Sequence, residues 1–297
     1  MEVVFFKDVL LKIICNDFDN RFERHTVQRI LENPHSRILI SKNLLTHLEK
    51  MVPPEFRHEF EAFVTSIADN AMGNIFNPPR KDAPESFEEE FTALLDLAPS
   101  DLVIGVSYKS QNVGPDHSKR VAAVSLAKKP SRHWVLAQLA ANHPNTITIS
   151  SIDFEKPRDV ENFFTNVLSV TKTRDQVRIF DRFVNLTHQR LDELKNFKNI
   201  QFFTYDDPRN PGDIRRKIDL IKGKFPDAQI FVVKKDRGVY FLHGRNIVIG
   251  NFVIFADNDF ANLNPGSHQD WRIGISWSDE ESKRLTYAVN KFSLIKN

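Results

Sequence analysis

The 297-residue chain has one cysteine, Cys15, ten glycines, and no excess of either charge. A single cysteine excludes an intramolecular disulfide and any zinc cage built from several thiolates, and it fits a reducing compartment. Forty-one Lys and Arg against 39 Asp and Glu leave a formal net charge of +2. That excludes a uniformly cationic polyanion binder while leaving room for a local basic groove. No apolar run reaches the ~18 residues a membrane span needs. The opening MEVVFFKDVLLKIICNDFDN is apolar, but Glu2, Lys7, Asp8 and Lys12 interrupt it and no small-residue cleavage site follows. The expectation is a soluble, cytoplasmic protein. The P-loop, the dinucleotide-binding glycine pattern and the nucleophile elbow are all missing, so triphosphate, dinucleotide and esterase chemistry lack their usual signals. Asn16–Asn20 has the composition of a calcium loop without its glycine or its distant bidentate Glu. The segments holding His25, His35, His47 and His58 give no metal-binding helix pair.

What is present reads as globular: 41% apolar and 27% charged residues. Twenty-five Phe against 4 Tyr and 3 Trp predict a core filled largely by Phe, which has no polar handle. The length predicts two domains, or one large one. Residues 1–140 hold 17 basic and 19 acidic residues and residues 141–297 hold 24 and 20, so the net charges are −2 and +4. The second half is the better candidate for binding a polyanion.

Strand and helix patterns alternate in both halves, which predicts an α/β fold of two domains, 1–150 and 158–297. In the first half, Val3–Phe6, Arg37–Ile40, Leu102–Val106 and Val121–Ser125 read as strands. Phe22–Leu31, Asn43–Lys50, Glu55–Asp69 and Glu85–Leu95 read as helices, and Asn74–Pro84 and Gln111–Lys119 as loops. Ser131–Asn142 and Thr146–Ile149 read as a helix and a strand ahead of a boundary near Lys156-Pro157. In the second half, Val160–Val170, His188–Lys195 and Asp213–Lys222 read as helices, the last with Asp213 as N-cap and Gly223 as a stop. Val177–Phe183, Ile200–Tyr205, Ala228–Val233, Val239–His243, Asn246–Ile249, Val253–Phe255 and Arg272–Trp277 read as strands. Gly250-Asn251 suits a hairpin turn.

Val239–Leu263 (VYFLHGRNIVIGNFVIFADNDFANL) carries His243-Gly244-Arg245 at a strand end, a hairpin, and the polar triplet Asp257-Asn258-Asp259. This stretch resembles the phospholipase D superfamily, whose signature is His-x-Lys, four intervening residues, an Asp, and then Gly-Ser-x-Asn after a short strand. His243 falls on the His, Arg245 on the Lys, Gly250 on the Asp, and Asn258 within the final element. The resemblance covers roughly residues 158–297 and implies a metal-free phosphodiesterase or nuclease. His243 would form a phosphohistidine, and Arg245 would hold the phosphate oxygens as a bidentate fork. Only one such motif is present, so catalysis implies a homodimer placing two His243 face to face. The alternative is an inactive domain in which His243 and Arg245 bind a phosphate or cap a turn, in the service of nucleic acid or a partner protein.

In the first half, VVFFKDVLL, RILISKNLLTHLEK, SDLVIGVSYKS and RVAAVSLAKK resemble the strand-bearing segments of a PIN-like nuclease domain. That implies a three-layer α/β/α fold with Asp8, Glu49 and Asp101 near the acidic positions that hold Mg²⁺ or Mn²⁺. The family's first and last acids are absent here, and the three carboxylates read equally as solvated helix-end charges. Two nuclease-like folds in one chain point to nucleic-acid work in a prokaryotic defence or toxin-like setting. Two basic clusters, Arg215-Arg216-Lys217 and Lys234-Lys235 with Arg237, are the expected phosphodiester-steering residues, or else an ordinary charged surface.

Overall fold

The computed structural model describes residues 1–69, 86–97, 102–109, 120–168, 170–171, 176–186, 190–233, 242–265 and 270–295. Asp101, Lys234, Lys235, Arg237, the Asn74–Pro84 and Gln111–Lys119 loops, and residues 239–241 of the Val239–His243 strand lie outside the described residues. The chain divides into two compact units, Met1–Pro144 and Asn145–Asn297.

In the first unit β1 (Glu2–Phe5) runs straight into α1 (Lys7–Ile14), and the buried side chains of Val9, Leu10 and Ile14 give that helix its inner face. Here α2 (Arg21–Leu31) starts at Asn20, whose side chain accepts the Glu23 N–H. Next come β2 (Arg37–Leu39), α3 (Lys42–Met51) capped by Ser41, α4 (Arg57–Asp69), α5 (Phe87–Leu97), β3 (Val103–Ser107), β4 (Val121–Ala123) and α6 (Arg132–Asn142). The sheet order is β2-β1-β3-β4 and every pairing is parallel. Phe6 meets Phe87 and Phe91 edge-on, with ring centroids 5.4 and 5.0 Å apart. A Cβ on Gly105 would lie 2.8 Å from the Phe91 ring, so the β3 backbone can approach α5 only as glycine.

The second unit begins with β5 (Ile147–Ser150), which pairs with β11 of the second sheet. The domain boundary therefore precedes this strand rather than following residue 150. Then come α7 (Pro157–Leu168), β6 (Gln176–Phe180), β7 (Asn199–Thr204), α8 (Asp213–Lys224), β8 (Gln229–Val233), β9 (Arg245–Ile249), β10 (Phe252–Ala256), β11 (Arg272–Trp277), α9 (Asp279–Ala288) and β12 (Phe292–Leu294). Their sheet has the order β12-β8-β7-β6-β9-β10-β11-β5. Strands β6, β7 and β8 run parallel, while the pairings of β9, β10, β11, β5 and β12 are antiparallel.

Register explains why this sheet holds. Ile230, Phe202, Ile179, Ile247, Ile254, Ile275 and Ile147 are successive cross-strand partners, and all are buried. Each such side chain contributes roughly 1.5–3 kcal/mol of apolar burial. Phe180, Phe203, Val248 and Val253 belong to a second cluster with Leu285, Ala288 and Phe292. Strand alternation places that cluster on the opposite face from the isoleucine ladder.

Several expectations shift. The alternation in VRIFDRF predicts a strand through Phe183, but β6 ends at Phe180 because Asp181 turns its carboxylate back onto the following backbone. The His188–Lys195 helix is a 3₁₀ turn over Asp192–Asn196 in its described part. The N-cap of α8 is Gly212, at φ 86°, and Asp213 is already helical; Gly223 lies inside the helix. Helices α1 and α9 and strand β12 stand where no such element is predicted.

Candidate functional site

Parallel β6 and β7 point their carboxyl ends the same way, and antiparallel β9 brings its amino end to the same edge. Phe180 pairs with Asn246, Phe180 with Phe203, and Arg245 with Ala256. The carboxyl ends of β6, β7 and β10 thus meet the start of β9, the edge where open α/β sheets bind ligands.

At the end of β6, Asp181 is 2% exposed. Its amide donates to the Phe203 carbonyl (3.0 Å), and its Oδ1 accepts the Phe183 N–H at 2.9 Å. Burial pushes its carboxyl above the usual range and the charge of Asp259 adds to that. The amides of Phe183 and Val184 and the charge of Arg245 pull it back down. Val184 sits at φ 51°. A β-branched residue in the left-handed region is a backbone outlier costing about 1–3 kcal/mol. The strained turn presents Phe183, which is half exposed. Arg182 lies 5.6 Å from the Phe183 ring centre and 5.2 Å from that of Tyr205.

At the start of β9, His243 is exposed and Arg245 is 9% exposed. The intervening Gly244 lets the Phe255 ring lie close, since a Cβ there would fall 2.2 Å from that ring and displace it. Arg245 donates from Nη1 to the Asp257 carbonyl at 3.2 Å, and its guanidinium lies 5.1 Å from the Phe183 ring centre. Its Nε is buried without an acceptor. After β10, Asp257 Oδ1 accepts the Arg272 amide (2.8 Å) and Asn258 Oδ1 accepts the Asp259 amide (2.8 Å). Arg190 clamps this loop by donating to the Phe260 carbonyl and to Asn264 Oδ1.

A cavity of about 580 Å³ opens among these pieces, lined by Phe183, Asn185, Arg216, Leu220, Arg245, Asn258, Asp259 and Asn262. Of the residues singled out in the sequence, Arg245, Arg216 and Asn258 come together here. His243 stands two residues ahead of Arg245 and does not line the cavity. Arg215 is exposed on α8, outside the lining. Lys217 departs from its expected steering role: it is 3% exposed and donates to Asp213 Oδ2 and to the Tyr205 carbonyl, both at 2.5 Å. It is a structural ion pair of α8, because the i, i+4 spacing turns it inward onto Asp213. Burial pushes the Asp213 carboxyl up, but hydrogen bonds from Lys217 and Arg216 outweigh it and hold the group below its ordinary value. Asp181, Phe183, Asn185, Leu220 and Asn262 carry no motif, while Asp259 belongs to the polar triplet that follows β10. One signal was available: Asp181 has the parity of Val177 and Ile179, an inward position for a carboxylate.

In the first unit, Asp8 ties the start of α1 to the end of β3. It accepts from the Tyr108 amide (3.0 Å), the Lys109 amide (3.3 Å) and Ser107 Oγ (3.1 Å). Tyr108 donates its hydroxyl to Asp19 and to Glu23, the latter at 2.8 Å. Burial and these two acceptors raise its phenol well above the ordinary value. Glu49 pairs with Arg57 at the surface (3.0 Å). Among the described residues no group of three or more His, Cys, Asp or Glu is arranged to hold a metal ion, so Asp8 and Glu49 are not joined by a third described ligand. Nor, among the described residues, is any helix long and apolar enough to cross a membrane.

No family model matches the chain, and no curated protein matches it. Solved structures similar to it include the phospholipase D family member Nuc from Salmonella typhimurium, at 8% identity and a TM-score of 0.38 over 52% of this chain and all of that one. NucT from Helicobacter pylori is 14% identical with a TM-score of 0.35 over 51% of this chain and all of that one. TrmBL2, an archaeal chromatin protein whose structure shows a novel mode of DNA binding, is 13% identical with a TM-score of 0.32 over 97% of this chain and all of that one.

Proposed function

We propose that the second unit recognises a phosphodiester of nucleic acid at the Arg245 cavity. The observation that carries this reading is Arg245 itself, a largely buried arginine at a sheet edge that lines the cavity beside the Phe183 ring. A largely buried cation at a cavity wall favours an anion as its ligand. The planar fork suits phosphate, and Arg216 adds a second guanidinium along the same wall. Measuring the affinity of labelled DNA and RNA for wild type and Arg245→Gln tests the reading. Salt-dependent binding that the substitution weakens supports it; binding unchanged by the substitution, or no binding at all, sinks it.

Turnover is the second reading, favoured by an exposed His243 two residues from the phosphate-binding arginine. In it His243 attacks phosphorus, the bridging oxygen leaves with a proton, and water then hydrolyses the phosphohistidine. The proton donor would be His243 of a second copy, so this reading requires a homodimer. It predicts EDTA-resistant cleavage that His243→Ala abolishes while binding persists.

A further inference from the structure

We infer that the Arg245 cavity takes single-stranded nucleic acid and that Phe183 is the platform on which one base stacks. This rests on the phosphodiester reading above and names the form of the substrate. Phe183 is 50% exposed while most of the chain's phenylalanines are buried. It is not a loose surface residue. Asp181 holds its amide at 2.9 Å, the next residue stands at φ 51°, and Arg216 donates to its carbonyl at 3.4 Å. Backbone strain and a buried carboxylate together hold the backbone from which this ring projects at the cavity wall. Such strain persists where function uses the geometry it imposes.

The ring's neighbours are cationic, Arg182 at 5.6 Å and Arg245 at 5.1 Å from its centre. An aromatic face beside guanidinium groups binds a base and its adjoining phosphate together, in any sequence, because every base has a π-face. Asn262, on the same wall, offers an amide donor and acceptor to a base edge. In a duplex the bases are stacked on one another and their faces cannot reach this ring.

The test is fluorescence anisotropy with four probes: labelled oligothymidylate, oligouridylate, an abasic oligomer of the same length, and a duplex. Wild type, Phe183→Ala, Phe183→Trp and Arg245→Gln are compared. Wild type should bind the single strands more tightly than the duplex or the abasic oligomer. Phe183→Ala should lose about tenfold on the base-bearing strands and nothing on the abasic one. Phe183→Trp should retain the preference, and Arg245→Gln should weaken every probe. If Phe183→Ala binds all four as wild type does, or weakens the abasic oligomer equally, stacking is wrong while the Arg245 reading stands. A wild type that prefers the duplex also overturns the inference. If no probe binds, both readings fall.

Discussion

The Arg245 guanidinium lies 5.1 Å from the centre of the Phe183 ring, although Phe183 follows the end of β6 and Arg245 opens the neighbouring antiparallel β9. The contact exists because β9 begins where β6 ends. It gives Arg245 a π-face on one side and the cavity wall on the other, so the position calls for a planar cation rather than charge alone.

Arg245→Lys is therefore not conservative. Lysine keeps the charge but loses the fork and the stacking surface. We expect Arg245→Lys to weaken nucleic-acid binding by about tenfold and Arg245→Gln by up to about a hundredfold. The slope of log affinity against log salt should fall by about one for the glutamine variant and stay near wild type for lysine. Titrations at several salt concentrations give both quantities.

Lys217 and Arg215 are neighbours in a basic triplet with different fates. Removing Lys217 as Lys217→Met leaves the buried Asp213 carboxylate with only the half-exposed Arg216 as its cationic partner, and should cost about 2–3 kcal/mol of stability. Arg215→Glu should change stability by no more than about 0.5 kcal/mol. Because the folded Asp213 carboxyl lies below its unfolded value, its contribution is present above the ordinary carboxylate range. It is lost as pH falls through the folded value. Urea unfolding at neutral and acid pH would show the Lys217→Met penalty shrinking as Asp213 protonates.

Asp181 has the opposite sign. Its folded carboxyl is held above the unfolded value, chiefly by burial. The stability it contributes is present below the ordinary carboxylate value and is lost as pH rises through the folded one. Asp181→Asn keeps an oxygen to accept the Phe183 amide and removes the charge. The variant should gain on wild type as pH rises from the ordinary carboxylate range toward neutrality. It should also bind nucleic acid more tightly, since a negative charge near Arg245 is gone. A variant that loses stability equally at every pH would show that Asp181 acts through its shape alone.

The sheets were largely legible because both strand patterns are strong. RILI, LVIGV and RIGISW are short, mostly apolar runs and TITI alternates Thr with Ile, and each lies in or overlaps a strand. Helix α1 was not, because VVFFKDVLLKII is apolar on both sides of the strand-to-helix change at Phe6 and periodicity alone does not mark the switch. Arg245 and Asn258 could be read from motif spacing. Phe183 could not, because its role depends on where the strand stops, and that is set by Asp181 folding back on its own backbone. The charge triplet at 215–217 misleads for a related reason: Asp213 and Lys217 are four apart, and only burial shows that this pair faces inward.

The first unit offers a last discrimination. If Asp8 were a metal ligand, Asp8→Ala would abolish a Mg²⁺-dependent activity while leaving the fold intact. In the structure Asp8 accepts from Ser107 Oγ and from the amides of Tyr108 and Lys109, which makes it a tie between α1 and the end of β3. Its removal strands those donors, and we expect a loss of about 1–3 kcal/mol. Tyr108→Phe should cost a similar amount, because it leaves the buried Glu23 carboxylate without its hydroxyl donor. Thermal unfolding with and without Mg²⁺ separates the two cases. A structural Asp8 predicts a lowered Tm for Asp8→Ala and the same Mg²⁺ response in both proteins. A Tm raised by Mg²⁺ in wild type alone would instead assign Asp8 to a metal.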